Sequence, residues 1–411
     1  MSYLEKLLNG VEVEWKTLGE VAELSNIGVD KKINANEKKV KLLNFVDVFK
    51  NQYISNETPT MVVTASDKKI IDCDIKEGDV FITPSSELID EIGFSAMAIE
   101  DFQNAVYSYH IMRLRINNKD FLFPAFLNYL FSSIAVRKQI RIKAQGITRY
   151  GLTQSSWKSI QIPIPPLSVQ KEIVRILDSF TELTAELTAE LTARKKQYNY
   201  YREQLLSFEE GDVEWKTLGW VGEVRMCKRI FKNQTSDSGD IPFFKIGTFG
   251  KEPDSYISRE TFDEYREKYN YPRVGEVLIS ASGTIGRSVI FNGEEAYFQD
   301  SNIVWLENDE SKVLNKYLFY FYQVANWNIS DGGVIKRLYN DNIKNTQIPI
   351  PYPNNPEKSL AEQARIVSIL DKFDTLTTSI SEGLPKEIEL RQKQYEYYRD
   401  LLLTFPKNKI E

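Results

Sequence analysis

Two stretches of the chain carry apolar residues at the spacing of helices that pack against other helices. In the first, Ile173, Ile176, Phe180, Leu183, Leu187 and Leu191 are spaced by intervals of 3, 4, 3, 4 and 4 residues. In the second, Ile366, Ile369, Phe373, Leu376, Ile380 and Leu384 repeat those intervals. Alternating threes and fours hold one stripe on one face of an α-helix, the a/d seam of a helix pair. Each stripe runs on through Tyr198, Tyr201, Leu205 and Phe208, or Tyr395, Tyr398, Leu402 and Phe405. A helix of about 40 residues spans roughly 60 Å. It cannot bury such a stripe alone, so the two are expected to pair, antiparallel because each globule must return the chain. The second has four extra residues between Phe373 and Lys393, Gly383 and Pro385 among them, which predicts a kink or break.

Elsewhere the pattern shortens to that of mixed α/β domains. Val40–Val46, Asp79–Thr83 and His110–Arg115 read as strands bounded by polar or turn residues. Phe121–Arg141 has helical spacing through Phe126, Tyr129, Leu130 and Ile134. Ile162-Pro-Ile-Pro-Pro166 fits neither interior helix nor central strand, because proline lacks the donor and restricts its predecessor. It is expected to be a hinge from globule to helix, repeated at Ile348–Pro353.

That repetition is general. Val13-Glu-Trp-Lys-Thr-Leu-Gly19 recurs letter for letter at Val213–Gly219, and Gln161–Pro165 recurs at Gln347–Pro351. Gln170–Phe180 matches Gln363–Phe373, and Lys196–Arg202 matches Lys393–Arg399. The same order four times means two copies of a unit of roughly 200 residues. The centres of the copies diverge, Gly78–Thr83 against Gly275–Ser280 being one of few matches. Constant frames around unlike centres imply a scaffold presenting two different surfaces. The bland reading is a pair of drifted repeats without division of labour. Leu4–Leu8 before Val13 also echoes Arg202–Leu206 before Val213. If that stub docks beside the C-terminal helix, a closed arrangement with approximate two-fold symmetry results. Within the first long helix, Thr-Ala-Glu-Leu occurs at 184–187 and again at 188–191, each copy about one helical turn; simple helix-forming sequence is the plain explanation.

The repeats set the boundaries at 1–12 for the stub, 13–160 and 211–346 for the variable domains, and 161–210 and 347–411 for the hinges and spacer helices. The fold class is α+β: two mixed α/β domains separated by two long antiparallel helices, with an internal pseudo-two-fold repeat.

Composition removes most catalytic classes. There are 411 residues, 2 cysteines and 1 histidine, too few for a disulfide scaffold, a multi-cysteine zinc site or Ser-His-Asp chemistry. No apolar run approaches a membrane span, and the N-terminus lacks a signal peptide's apolar core, so an intracellular, cytoplasmic protein is expected. No phosphate-loop or Asn/Asp-Pro-Pro-aromatic methyltransferase motif occurs, and Phe244–Gly250 reads as a strand and turn. His110 reads as a structural or groove-facing polar residue. No catalytic residue, metal site or cofactor is assigned to this chain.

Net charge is −6, yet Phe121–Lys171 contains no Asp or Glu and seven cations. Arg137, Lys138, Arg141, Lys143 and Arg149, with Tyr150 among them, form the footprint expected of DNA phosphate contact. A solvated helix face is the alternative. The second copy offers Arg287, in the Gly283–Arg287 turn, with Lys336 and Arg337.

Two variable domains, each leading through Ile-Pro-Ile-Pro into a long helix, resemble the specificity subunit of type I restriction–modification enzymes. The Val-Glu-Trp-Lys-Thr-Leu-Gly frames, the Thr-Ala-Glu-Leu repeats, Lys195–Leu206 and Ser381–Asp400 resemble the IC class. The resemblance implies a non-catalytic subunit whose target-recognition domains each read half of a bipartite, asymmetric site in double-stranded DNA. It also implies two methylation subunits bound to this chain and restriction subunits joining through them. S-adenosylmethionine, ATP and Mg would reside in those partners. A coiled-coil adaptor that binds proteins only is the competing reading.

Overall fold

The computed structural model describes residues 3–208, 213–327, 336–379 and 381–406. The chain divides into two compact units, one of residues 1–186 with 388–411, the other of residues 187–387. The division falls inside the 39-residue helix Leu167–Leu205, so each unit owns part of that central helix.

The repeated frame motifs bind each other. Glu14–Thr17 pairs antiparallel with Gln161–Ile164, setting Trp15 opposite Pro163. Val213–Thr217 pairs with Gln347–Pro351, setting Trp215 opposite Pro349. The expected hinge is therefore a strand in both copies. A two-stranded ribbon consists of edges only, so a proline there leaves no ladder incomplete. The clasp extends through Leu18 N–H to the Ile160 carbonyl and Leu218 N–H to the Thr346 carbonyl, each 2.8 Å. It joins the beginning of each domain to its end.

The divergent centres share one topology. In unit 1, Ala22–Ser25, Met112–Ile116, Val80–Ile82, Ser95–Ala98 and Tyr53–Ile54 lie side by side in that order. In unit 2, Gly222–Arg225, Ile303–Asn308, Val277–Ser280 and Ser288–Ile290 repeat the order of the first four, with no fifth strand among the described residues. Each unit adds a three-stranded sheet whose middle strand, Lys38–Leu43 or Ile241–Phe244, has one antiparallel and one parallel neighbour. The strand predicted at Val40–Val46 ends at Leu43 because Asn44 caps a new helix, accepting from Val46 N–H at 2.8 Å while Asp47 accepts from Asn44 N–H at 2.9 Å. His110 precedes its predicted strand, which spans Met112–Ile116.

Phe121–Arg141 is two helices, Pro124–Leu130 and Ile134–Lys143. Ser133 separates them by accepting from Val136 N–H at 3.3 Å, a cap that starts a new helix with a new axis.

Each domain is held to its helix by a duplicated polar clamp. Gln170, fully buried, accepts from Phe123 N–H at 2.8 Å and donates to the carbonyls of Phe121 (3.0 Å) and Pro165 (2.8 Å). Its counterpart Gln363 accepts from Leu314 N–H at 2.9 Å and donates to the Lys312 carbonyl at 3.1 Å. Asp178 receives the hydroxyls of Tyr53 and Tyr129, both at 2.6 Å; Asp371 receives Tyr320 at 2.7 Å and Lys316 at 2.6 Å. Desolvation, together with the carboxylate, raises the phenol pKa values of Tyr53, Tyr129 and Tyr320.

In unit 1 the central helix and the last helix, Gly383–Leu402, run antiparallel. Gln170 fixes the start of one near Phe123, Phe126 a turn away meets Phe405 at 6.2 Å, and Phe180 farther on stacks on Tyr398 at 5.3 Å. The stub Tyr3–Leu8 joins the same core through Leu4 and Leu8, alongside Leu402, Leu403 and Phe405. In unit 2, Tyr198 and Tyr201 of the central helix stack on Phe373 of Pro356–Thr378, at 6.3 and 5.5 Å. The last helix thus fills in unit 1 the role that the second half of the central helix fills in unit 2, as the N-terminal echo anticipates.

Along the predicted seam, Ile173 and Ile366 are buried, while Ile176, Leu183, Leu187, Leu191, Ile369 and Leu376 are half-buried; Ile380 lies outside the described residues. The predicted break is present, with helix ending at Thr378 and resuming at Gly383. Gly383 has φ +80°, and a Cβ there would meet the Thr375 carbonyl oxygen at 2.5 Å, so the turn requires glycine.

Candidate nucleic-acid interface

The acid-free run of unit 1 is not acid-free in space. Asp90, from a different segment, forms an ion pair with Arg141 and lends its backbone carbonyl to Arg137, which also donates to the Ile92 carbonyl. Arg137 lies 5.7 Å over the Phe94 ring, and burial pushes its pKa down. Arg137 is therefore a bracing residue between the helix Ile134–Lys143 and the loop before Ser95. Lys138 is exposed and Lys143 half-buried on that helix.

Arg149 and Tyr150 lie on a hairpin after the helix. Its rung is a reciprocal pair of 2.9 Å hydrogen bonds between Gln145 and Gly151. Tyr150 and Gly151 also pair with Ser86 and Ser85, and Arg149 donates to the Ser85 hydroxyl at 3.1 Å and its carbonyl at 3.3 Å. Gly146 turns the chain at φ +136°, where a Cβ would collide with the Arg149 carbonyl at 1.9 Å. At the tip, Ile147 is 92% exposed.

Residues distant in sequence complete this face. Gly28 passes so close to Tyr109 that a Cβ would lie 2.1 Å from its nitrogen, and Val29 bridges to Ser108. This close approach brings Lys31 within electrostatic reach of His110, whose ring lies 4.0 Å from that of exposed Tyr109. Burial first, then the charges of Lys31 and Arg149, lower the His110 pKa, opposed by Asp30. Both effects favour the neutral imidazole within a positive patch. Lys31, Tyr109 and Arg149 are separated by about 40 to 80 residues of chain, so the cationic run in the sequence reaches the patch only through Arg149, and Lys31 and Tyr109 carry no sequence signal of it.

In unit 2, Arg287 donates to the Phe249 carbonyl at 3.1 Å from the turn whose Gly283 and Gly286 have positive φ. Arg337 donates to the Ser301 carbonyl at 2.7 Å and bridges to Ser282, matching the Gly151–Ser85 pair of unit 1. Lys336 is exposed.

Among the described residues, no group of three or more His, Cys, Asp or Glu is placed to hold a metal ion. Burial pushes the Cys227 thiol up to about 12 and raises that of Cys73, so neither is an activated nucleophile. No described helix is long and apolar enough to cross a membrane.

Comparison with known proteins matches this arrangement. The type I restriction modification DNA specificity domain is found twice, over residues 10–194 and 210–390. The chain belongs to that family. It is a non-catalytic DNA-specificity subunit with two target-recognition domains. It is 37% identical over 432 residues to the EcoR124I/EcoR124II specificity subunit of Escherichia coli, covering 99% of this chain and 98% of that one. It is 49% identical over 420 residues, 98% of each chain, to a Haemophilus influenzae protein provisionally assigned as a type I specificity subunit. In fold it is similar to the S subunit of Mycoplasma genitalium (TM-score 0.51, 15% identity, 99% and 100% coverage). It is also similar to a chain from a structural study of type I complex assembly (TM-score 0.58, 16% identity, 96% and 98% coverage).

Proposed function

We propose that each target-recognition domain of this subunit reads one half of a bipartite, asymmetric DNA site, and that the spacer helices set the gap between the halves. The observation that carries this reading is the pairing of duplicated clasps and clamps with unlike surfaces on the same topology. The helices dock two methylation subunits, through which restriction subunits join; S-adenosylmethionine, ATP and Mg are held by those partners. The complex works on DNA in the cytoplasm.

The patch of unit 1 takes phosphate through Lys31, Lys138, Lys143 and Arg149. An acidic total charge is compatible with this when partner subunits supply further cations. Purified alone, the chain is expected neither to methylate nor to cut DNA, and methylation subunits are expected to tighten its gel shift on specific DNA. Methyl transfer by the isolated chain would favour a catalytic reading, and failure of the assembled complex to bind DNA would favour the protein-only adaptor.

Neutralising Lys138, Lys143 and Arg149 together is expected to weaken DNA binding by the complex. It should also flatten the slope of log affinity against log salt by about 0.9 for each phosphate no longer neutralised. An unchanged slope moves the DNA face elsewhere. Arg137→Ala is expected to act chiefly on stability, because it removes the brace to Asp90 and Ile92.

A further inference from the structure

The tip of the Gln145–Gly151 hairpin combines features that rarely occur together. Its backbone is fixed by the Gln145–Gly151 rung, the Tyr150–Ser86 pair and the Arg149–Ser85 bonds. Gly146 occupies a conformation that leaves no room for a side chain. Yet the residue this rigid turn presents is Ile147, 92% exposed. A branched apolar side chain held out in water gains nothing for the folded chain and forgoes what its burial would contribute. Arg149 stands two residues on in the same hairpin, and its charge, like that of Lys31, acts on His110. The nearby Asp30 is engaged with the Lys31 amide at 2.8 Å and the Lys32 ammonium at 2.9 Å.

An apolar point beside a cation on the same rigid hairpin complements a polyanion that displays an apolar group at the bottom of a groove. In double-stranded DNA that group is the C5-methyl of thymine in the major groove, the one apolar mark by which a base edge is read. In the register that aligns Gln161–Pro165 with Gln347–Pro351, the second copy carries Gly333 at the position of Ile147. The two copies therefore differ in sequence at this position, Gly333 lying outside the described residues, as readers of two different half-sites require.

We propose that Ile147 is a base-reading residue of the first target-recognition domain, making apolar contact with a thymine methyl in the first half-site. This rests on the proposed reading of a bipartite site. The test uses the chain assembled with its methylation subunits on a randomised DNA library, with methylated sites mapped for the native protein, Ile147→Gly and Ile147→Asn. The variants are expected to lose selectivity on the order of fivefold at one thymine-bearing position of the first half-site, the worth of one buried methyl. The second half-site and the gap stay unchanged. Replacing that thymine by deoxyuridine, which lacks the methyl, should cost the native complex the same factor and cost Ile147→Gly nothing further.

Unaltered selectivity in both variants overturns the proposal. So does a loss spread evenly over both half-sites, which would place Ile147 against a partner subunit, or a full further loss when deoxyuridine is offered to Ile147→Gly. A native complex with no bipartite motif would overturn the underlying reading as well, so the two failures are distinguishable.

Discussion

Gln170→Ala is expected to destabilise unit 1 by about 2–4 kcal/mol, because truncation empties a buried site and strands three buried or partly buried backbone groups at once. The Gln170 amide, itself fully buried, satisfies Phe123 N–H and the carbonyls of Phe121 and Pro165. Each unpaired buried group costs roughly 1–3 kcal/mol, and the vacated volume adds to that. The total is a large part of a typical domain's stability of about 5–15 kcal/mol. Chemical unfolding of the full-length variant, with hydrogen exchange monitored in residues 13–165, measures it. Because Gln363 clamps unit 2 independently, the loss should be confined to unit 1, and recognition of the first half-site should fail at lower temperature than that of the second. A change below about 1 kcal/mol would mean that the clamp is not what joins domain to helix.

Deleting Thr188–Leu191 is expected to shorten the gap while leaving both half-site sequences as they were. Four residues remove about 6 Å of helix and rotate the remainder of it by about 40°, since they slightly exceed one 3.6-residue turn. The segment lies within the continuous central helix; Thr188, Ala189 and Glu190 are exposed and Leu191 half-buried. It contains none of the clamp residues and neither tyrosine that stacks on Phe373. The deletion removes the Glu190–Arg194 ion pair and the Thr192 hydroxyl bond to the Thr188 carbonyl, both on the helix surface, where such pairs contribute little. Each domain should therefore keep its fold and its hold on DNA. With a rise of about 3.4 Å per base pair, we expect the gap to shorten by one base pair, helix tilt or DNA bending absorbing the difference. An altered half-site, or an unaltered gap with activity retained, would count against the helices as a ruler.

Features that are local or repeated were legible in the sequence. The helix that carries Ile173 to Leu191, the break at Gly383 and the duplicated frames depend on short-range spacing, and they stand in the structure. The Ile-Pro-Ile-Pro segment was half legible: proline does exclude a central strand, but its pairing with Trp15 joins the two ends of a domain, which spacing cannot show. Interactions over long separations account for the remaining differences. Asp90 reaches Arg137 and Arg141 from about 50 residues away, so a run that is purely cationic in sequence is partly neutralised in space. Ser133 divides a stretch whose apolar spacing reads as one helix, because a cap with a new axis preserves the rhythm of both pieces. The patch of Lys31, Tyr109, His110 and Arg149 is assembled by the close approach of Gly28 to Tyr109, a steric fact with no charge pattern attached.

Two unlike domains on one duplicated frame should read two unlike half-sites. Genome-wide mapping of DNA methylation in a host carrying this subunit with its methylation subunits decides whether they do. The expected result is a single asymmetric motif of two different specified halves separated by a fixed, unspecified gap. A contiguous motif, or two identical halves, would contradict the division of labour between the domains.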